Sequence, residues 1–436
     1  MTKARLDGLY LMLLGSAVFL SLGALLASTS SINMVDFRVL YYPARCLTHH
    51  CDPYNENELL RFSTPGQGGQ PQDVAHARQI MRYIYLPTAF SVTVPFAMLP
   101  WGIAHFLWMA LIAGSLIFSS FLIWSLGADY APIISGILVG FLLANSEMLV
   151  ITGNTAGIAI SLALVAVWCF FRNRFVAAGI FCLAISLIVK PHDTGLVWLY
   201  FLLAGGVQRK RAWQTLLLTV ALGLPAVLWV WHVAPNWMQE LHANIVEYSA
   251  PGNLNDPGIA SSGAHGLGML VSLQAIFGIL WDDPRFYDPA SYLVCAPLLL
   301  LWIFASLRPR FTRANACLAL AAIAPLTLLP VYHRQQDTKL LLLTIPACAM
   351  LCAEGGLFGK LAILINAAGF FLTAELPCAF LLALISHLPP PSSWWSRAIE
   401  IGVQVVPIPL ILLATSIFYL WVYLRRGSSH APPAMT

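Results

Sequence analysis

The chain has 436 residues, of which 59% are hydrophobic and only 10% charged. Soluble domains carry about 25% charge, so this composition excludes an ordinary soluble protein and predicts an all-α polytopic membrane protein, since open strands cannot satisfy their backbone in lipid. The formal net charge is only +4, and no dense basic run is interleaved with aromatics, which excludes nucleic acid and leaves the lipid bilayer as the surrounding medium.

The N-terminal MTKARLDG leads into an apolar run from Leu9 to Ala27. That run exceeds a signal-peptide core and lacks a clear cleavage site, so it reads as a retained transmembrane helix. Further spans are expected near 102–126, 131–150, 155–171, 175–189, 193–207, 212–234, 289–307, 314–331, 338–354, 361–385 and 401–424, twelve in all, within a single domain over 1–436. Basic clusters stand at Lys3 with Arg5, Arg172 with Arg174, 209–211, 308–313, and Arg425 with Arg426. Placing all five in the cytoplasm requires an even number of spans between neighbours, and the twelve satisfy this. Both termini are then cytoplasmic, and the tail 426–436 is expected to be disordered. The short, Pro-bounded stretch 86–100 would break the parity as a full crossing, so an interfacial or shallow re-entrant helix is expected there.

The large outer loops are then 28–101 and 235–288, with shorter ones at 151–154, 190–192, 332–337 and 386–400. They hold nearly all the polar residues of chemical interest. In 34–42 a helix would put Asp36 on one face with Phe37, Leu40 and Tyr41, and Arg38, Tyr42 and Arg45 on another; Pro43 is expected to end its first turns. Asp36 is either a carboxylate facing a cavity or a helix-starting acid near a cap at Ser31–Asn33. Lys190 ends a span, where a lysine inside lipid would cost about 2.5–3.5 kcal/mol, so it snorkels or pairs. His192 and Asp193 adjoin it. YHRQQD (332–337) joins two spans and brings His333, Arg334 and Asp337 together. Asn154 either caps the span it opens or serves a site. Tyr41, Tyr42, Tyr83, Tyr85, Trp101 and Trp108 fit an aromatic belt. In 235–288, Glu247 is the acid of interest and GMLVSLQAIFGIL reads as an interfacial helix, so the loop is a candidate lid. Cys46 and Cys51 form either a disulfide or a metal site with His49 and His50, without a strong zinc spacing. Cys169, Cys182, Cys295, Cys317, Cys348 and Cys378 read as small buried hydrophobes.

VDFRVLYYPARCL…DPY after the first span is followed in order by YLPTAFSVTVPFAMLP, Gly153–Asn154, SLIVKP at Lys190–Pro191, and YHRQQD. Over roughly residues 10 to 345 this order resembles the family 87 glycosyltransferases of the GT-C superfamily, although YLP stands where such sequences often have YPP. The resemblance implies a GT-C-like bundle with outer-face interfacial helices. It implies transfer of a sugar, typically mannose, from a polyprenyl-phosphate donor to a lipid or glycan acceptor, inverting, with no cofactor or metal. Asp36 is the implied general base. Lys190, His333, Arg334 and Arg38 are candidates for the donor phosphate, and Tyr41, Tyr42, Asn154, His192, Glu247 and Asp337 for the acceptor side or supporting positions. The compact chain suits a bacterial inner membrane, with the active site extracytoplasmic. The competing expectations are a transporter or flippase, for which His105, Glu147 and Glu375 are mid-span ionisable candidates, and a non-catalytic assembly partner.

Overall fold

The computed structural model describes residues 2–30, 34–63, 82–253, 255–258, 270–307, 311–386 and 405–428. The expected cap at Ser31–Asn33, parts of loops 28–101 and 235–288, most of 386–400, residues 308–310 and the C-terminal tail from 429 lie outside these. In chain order the helices are α1 (Lys3–Thr29), α2 (Val35–Thr48), α3 (Glu56–Ser63), α4 (Phe90–Ala97, entered through a 3-10 turn, Pro87–Ala89), α5 (Trp101–Gly127), α6 (Pro132–Leu143), α7 (Glu147–Thr152), α8 (Ala156–Arg172), α9 (Val176–Val189) and α10 (Pro191–Leu203). They continue as α11 (Gly206–Val233), α12 (Trp237–Tyr248), α13 (Leu273–Leu280), α14 (Pro284–Leu307), α15 (Arg313–Thr327), a 3-10 stretch (Gln335–Thr344) running into α16 (Ile345–Glu354), α17 (Gly356–Leu372), α18 (Glu375–Ser386) and α19 (Pro407–Ser428). No strand occurs among the described residues; one isolated antiparallel bridge joins Leu270 and Arg334.

Six helical units among the described residues are long and apolar enough to cross a membrane: α1, α5, α11, α14, Gln335–Glu354 and α19. The chain is a multi-pass α-helical membrane protein. Two of the expected continuous spans are interrupted. The run 131–150 divides into α6 and α7, because Asn145 Nδ2 donates to Phe141 O (2.8 Å) and Ser146 Oγ to Leu142 O (2.7 Å), offering the last carbonyls side-chain partners. The run 361–385 divides into α17 and α18 after Thr373, whose hydroxyl donates to Gly369 O at 2.8 Å. Pro43 does not end α2, which continues to Thr48. The stretch at 87–97 is helical and far too short to span: eight residues of α4 reach only about 12 Å.

Packing between α1 and α6 rests on glycines. A Cβ on Gly15 would stand 2.1 Å from Gly140 O, and one on Gly136 2.2 Å from Gly8 O. Only hydrogen fits there, so the backbones approach closely, which is how helices associate without a hydrophobic drive between them. At the centre lies α15, buried on every side from Ala316 to Thr327, as expected for a helix apolar all round. Trp302 Nε1 donates to Ala319 O and Ser416 Oγ to Ala322 O, tying α14 and α19 to it.

The basic clusters gather. Arg5, Arg172 and Arg313, from three of them, all pair with Asp129 in the α5–α6 turn, at 2.8, 2.9 and 2.8 Å. Arg211 donates to Phe170 O and Asn173 Oδ1 beside Arg172, and Arg426 pairs with Glu354 at the end of α16. Helix α8 ends at this clasp and begins at Asn154–Thr155, about 25 Å away at 1.5 Å per residue.

Candidate functional site

Asp36 lies in the first turn of α2. That helix is pressed against the α7–α8 junction because Gly153 takes a left-handed conformation (φ +70°), and a Cβ there would sit 2.8 Å from Phe37 Cβ and 2.9 Å from Met34 Sδ. Met34 N donates to Ile151 O, and Trp108 Nε1 donates to Gly153 O at 2.9 Å. Phe37 stacks on Trp108 with ring centroids 4.6 Å apart. Phe37, Leu40 and Tyr41 are fully buried, which leaves the carboxylate of Asp36 to meet Asn154, whose Nδ2 donates to Oδ2 at 2.8 Å. Asn154 also takes up the expected cap position. Its Oδ1 accepts from Ala156 N at the start of α8, at 2.9 Å, and its amide reaches Gln336 Oε1 at 3.3 Å.

Lys190 stands where α9 stops and Pro191 begins α10, a first-turn position that suits proline. Its ammonium is buried and pairs with Asp337 Oδ1 and with Asp193 Oδ2, the latter at 3.1 Å. Burial alone would lower its pKa; Asp193 and Asp337 outweigh that, and the net direction is up. Lys190 is therefore not a lone cation but one positive charge between two carboxylates. Asp337 Oδ2 accepts from Arg334 N at 2.8 Å, which starts the 3-10 stretch. On the other side of Asp193, Oδ1 faces His192 Nε2 at 3.4 Å and His333 Nε2 at 3.3 Å.

The Arg334 guanidinium donates to Tyr332 OH and to Asn255 Oδ1 (3.3 Å) and lies over the Tyr332 ring. Tyr85 approaches Thr155 Oγ1 at 3.4 Å. Its phenol is pushed up to about 12, by burial first and then by the charge of Asp36. Tyr248 is raised too, by burial, with Arg334 pulling down and Asp36 adding to the rise. Asp36, Asn154, Lys190, His192, His333, Arg334 and Asp337 thus share one neighbourhood, assembled from α2, the α7–α8 junction, the α9–α10 junction and 331–337. Gln336, Tyr248 and Asn255 join it without having been expected. Asn255 and Tyr248 come from the loop expected to act as a lid, part of which is described; within it α13 is helical over Leu273–Leu280.

Other candidates lie elsewhere. Arg38 is exposed, over the Trp101 ring at 5.6 Å. Tyr41 OH donates to Leu99 O at 2.7 Å, Arg45 Nη1 donates to Tyr41 OH at 3.2 Å, and Tyr42 stacks on Trp101. These form an aromatic patch that anchors α2. Tyr41, Tyr83 and Trp108 are fully buried, so they belong to the core rather than to an interfacial belt. Glu247 is exposed and pairs with Arg82 at 3.0 Å, which also takes Glu56 at 3.1 Å. Cys46 and Cys51 are joined in a disulfide that closes the turn after α2, so their sulfurs are not metal ligands with His49 and His50.

A second buried ionic group sits further along the 3-10 stretch. Lys339 pairs with Glu375 Oε1 at 3.1 Å and donates to Asn145 O, and Glu375 Oε2 accepts from Met148 N at 2.7 Å. Glu147 is buried beside them, with neither carboxylate oxygen hydrogen-bonded among the described residues. The two interruptions of the expected spans are where these groups meet. No family model matches the chain, and neither does any curated protein or solved structure.

Proposed function

We propose that the protein is a GT-C-like membrane glycosyltransferase of about twelve spans, working at the extracytoplasmic face of a bacterial inner membrane with both termini in the cytoplasm. It moves a sugar, mannose in the first instance, from a polyprenyl phosphate to a lipid or glycan acceptor. The observation that carries this is the convergence of Asp36, fixed by Asn154, with Arg334, Lys190 and His333 from segments remote in sequence.

The acceptor hydroxyl gives its proton to Asp36 as its oxygen attacks the anomeric carbon. The bond from that carbon to the phosphate oxygen breaks, and the phosphate leaves with the electron pair. One displacement inverts the configuration. A positioned base contributes about 10²–10⁴-fold, and cationic groups stabilise the charge gathering on the leaving phosphate. Arg334 suits that role best; the Lys190 ammonium shares its charge with Asp193 and Asp337 and acts chiefly by positioning Asp337 and the chain at Arg334. Arg38, over Trp101, and Glu247, paired with Arg82, are left to anchoring. The test is incubation of purified protein with labelled polyprenyl-phosphate mannose and a membrane lipid extract. A product heavier than its acceptor by one hexose supports the proposal; unchanged donor in the presence of acceptor overturns it.

A transporter or flippase is favoured by one separate feature, the buried Lys339–Glu375–Glu147 group, since ionisable residues inside a membrane bundle often mark a pathway. Flux of a lipid-linked sugar across vesicles with no covalent product would select it.

A further inference from the structure

Asp193 Oδ1 stands 3.4 Å from His192 Nε2 and 3.3 Å from His333 Nε2, and the ligand atoms of the three residues lie within 4.8 Å of one another. Asp193 and His333 are fully buried. The other ring nitrogen of His333, Nδ1, is 3.0 Å from the carbonyl of Val331. A carbonyl only accepts, so Nδ1 carries hydrogen and a neutral ring presents its Nε2 lone pair to Asp193. Two acceptors then face each other in a buried place. Neither His333 Nε2 nor Asp193 Oδ1 meets hydrogen-bond geometry with any described residue, and Asp193 Oδ2 has the Lys190 ion pair at 3.1 Å. Such an arrangement is costly unless a positive centre lies between the acceptors.

The two spacings to Asp193 Oδ1 fit one kind of centre. In a tetrahedral zinc site with metal–ligand bonds of about 2.0–2.2 Å, neighbouring ligand atoms stand about 3.3–3.6 Å apart. Two imidazoles and a carboxylate are ligands that zinc accepts, whereas calcium and magnesium take oxygen. The supporting contacts also fit. The Val331 carbonyl fixes the ring and tautomer of His333, and Lys190 holds the second oxygen of Asp193 at 3.1 Å.

We propose that His192, His333 and Asp193 form a three-ligand site for a divalent ion of the zinc class, with the fourth corner taking water or an anionic oxygen. The proposal departs from the metal independence that the family resemblance implies, and it does not rest on the sugar-transfer reading. The competing arrangement is an imidazolium held against Asp193, which binds no metal.

Full-length protein, purified without a histidine tag and stripped by chelator, is titrated with Zn²⁺ and separately with Co²⁺. One tightly held ion per chain is expected, with the strong visible absorption of tetrahedral Co²⁺. His192→Ala and His333→Ala should each weaken Zn²⁺ binding at least about tenfold. His192 is half exposed, with 47% of its side chain accessible, so His192→Ala should keep the wild-type melting temperature and decides the matter if His333→Ala fails to fold. Failure to retain zinc, affinity unchanged in His192→Ala, or a six-coordinate Co²⁺ spectrum overturns the proposal.

Discussion

Two charge clusters lie at opposite ends of α8, and they differ in what is left unpaired. At Asp129 one carboxylate serves three guanidiniums, from Arg5, Arg172 and Arg313, and all four side chains are 24–44% accessible. Solvent screens the surplus positive charge, so the clasp gathers helix ends at little cost. At Lys190 the ammonium and its two carboxylates are at most 8% accessible. Here the charges are desolvated, and Asp193 and His333 keep polar atoms without hydrogen bonds. A buried, incompletely paired cluster is poor stabilisation. Within a membrane bundle it is a functional candidate by default.

The sharpest way to break this comparison is Asp36→Asn. It should lower sugar transfer by about 10²–10⁴-fold with the melting temperature unchanged; full activity would reduce Asp36 to a helix-starting acid. Next comes Lys190→Met, which strands Asp193 and Asp337 as buried acids and should destabilise the protein by about 3–5 kcal/mol, read by denaturant unfolding in detergent. Asp129→Asn, at the exposed clasp, should cost only about 1 kcal/mol and leave transfer intact. Equal losses for these two substitutions would erase the distinction between the clusters.

The smallest expected effect is a pH slope in helix α12. Burial first, then Asp52 and Glu58, pushes Glu240 up to about 7 from an ordinary 4.5. The folded chain holds that proton more tightly than the unfolded chain, so stability should fall as pH rises through this window. Glu240→Gln should flatten the slope, as followed by melting temperature between pH 4.5 and 8; an unchanged slope would remove Glu240 as its cause.

Some of this was legible in the sequence because it depends on local spacing. The buried face of α2 (Phe37, Leu40, Tyr41) follows from helical periodicity. The gathering of Arg5, Arg172 and Arg313 follows from the uneven distribution of basic residues, although Asp129 as their shared partner does not. The breaks after Leu143 and Leu372 were hidden because Ala144, Asn145 and Thr373 sit within runs apolar enough to read as continuous. The pairing of Lys190 with Asp337 crosses 147 residues, and no periodicity reports a contact at that range. Asn255 and Tyr248 were illegible for the same reason, and so was the turn of Arg38, two residues from Asp36, onto the Trp101 ring.

The most direct test of the account is the anomeric configuration of the product formed from α- or β-defined polyprenyl-phosphate mannose, read by NMR for wild-type protein with Asp36→Asn alongside. The account predicts a product of opposite configuration to the donor, made by the wild type and nearly absent with Asp36→Asn. Retained configuration, or equal yields from the two proteins, would contradict it.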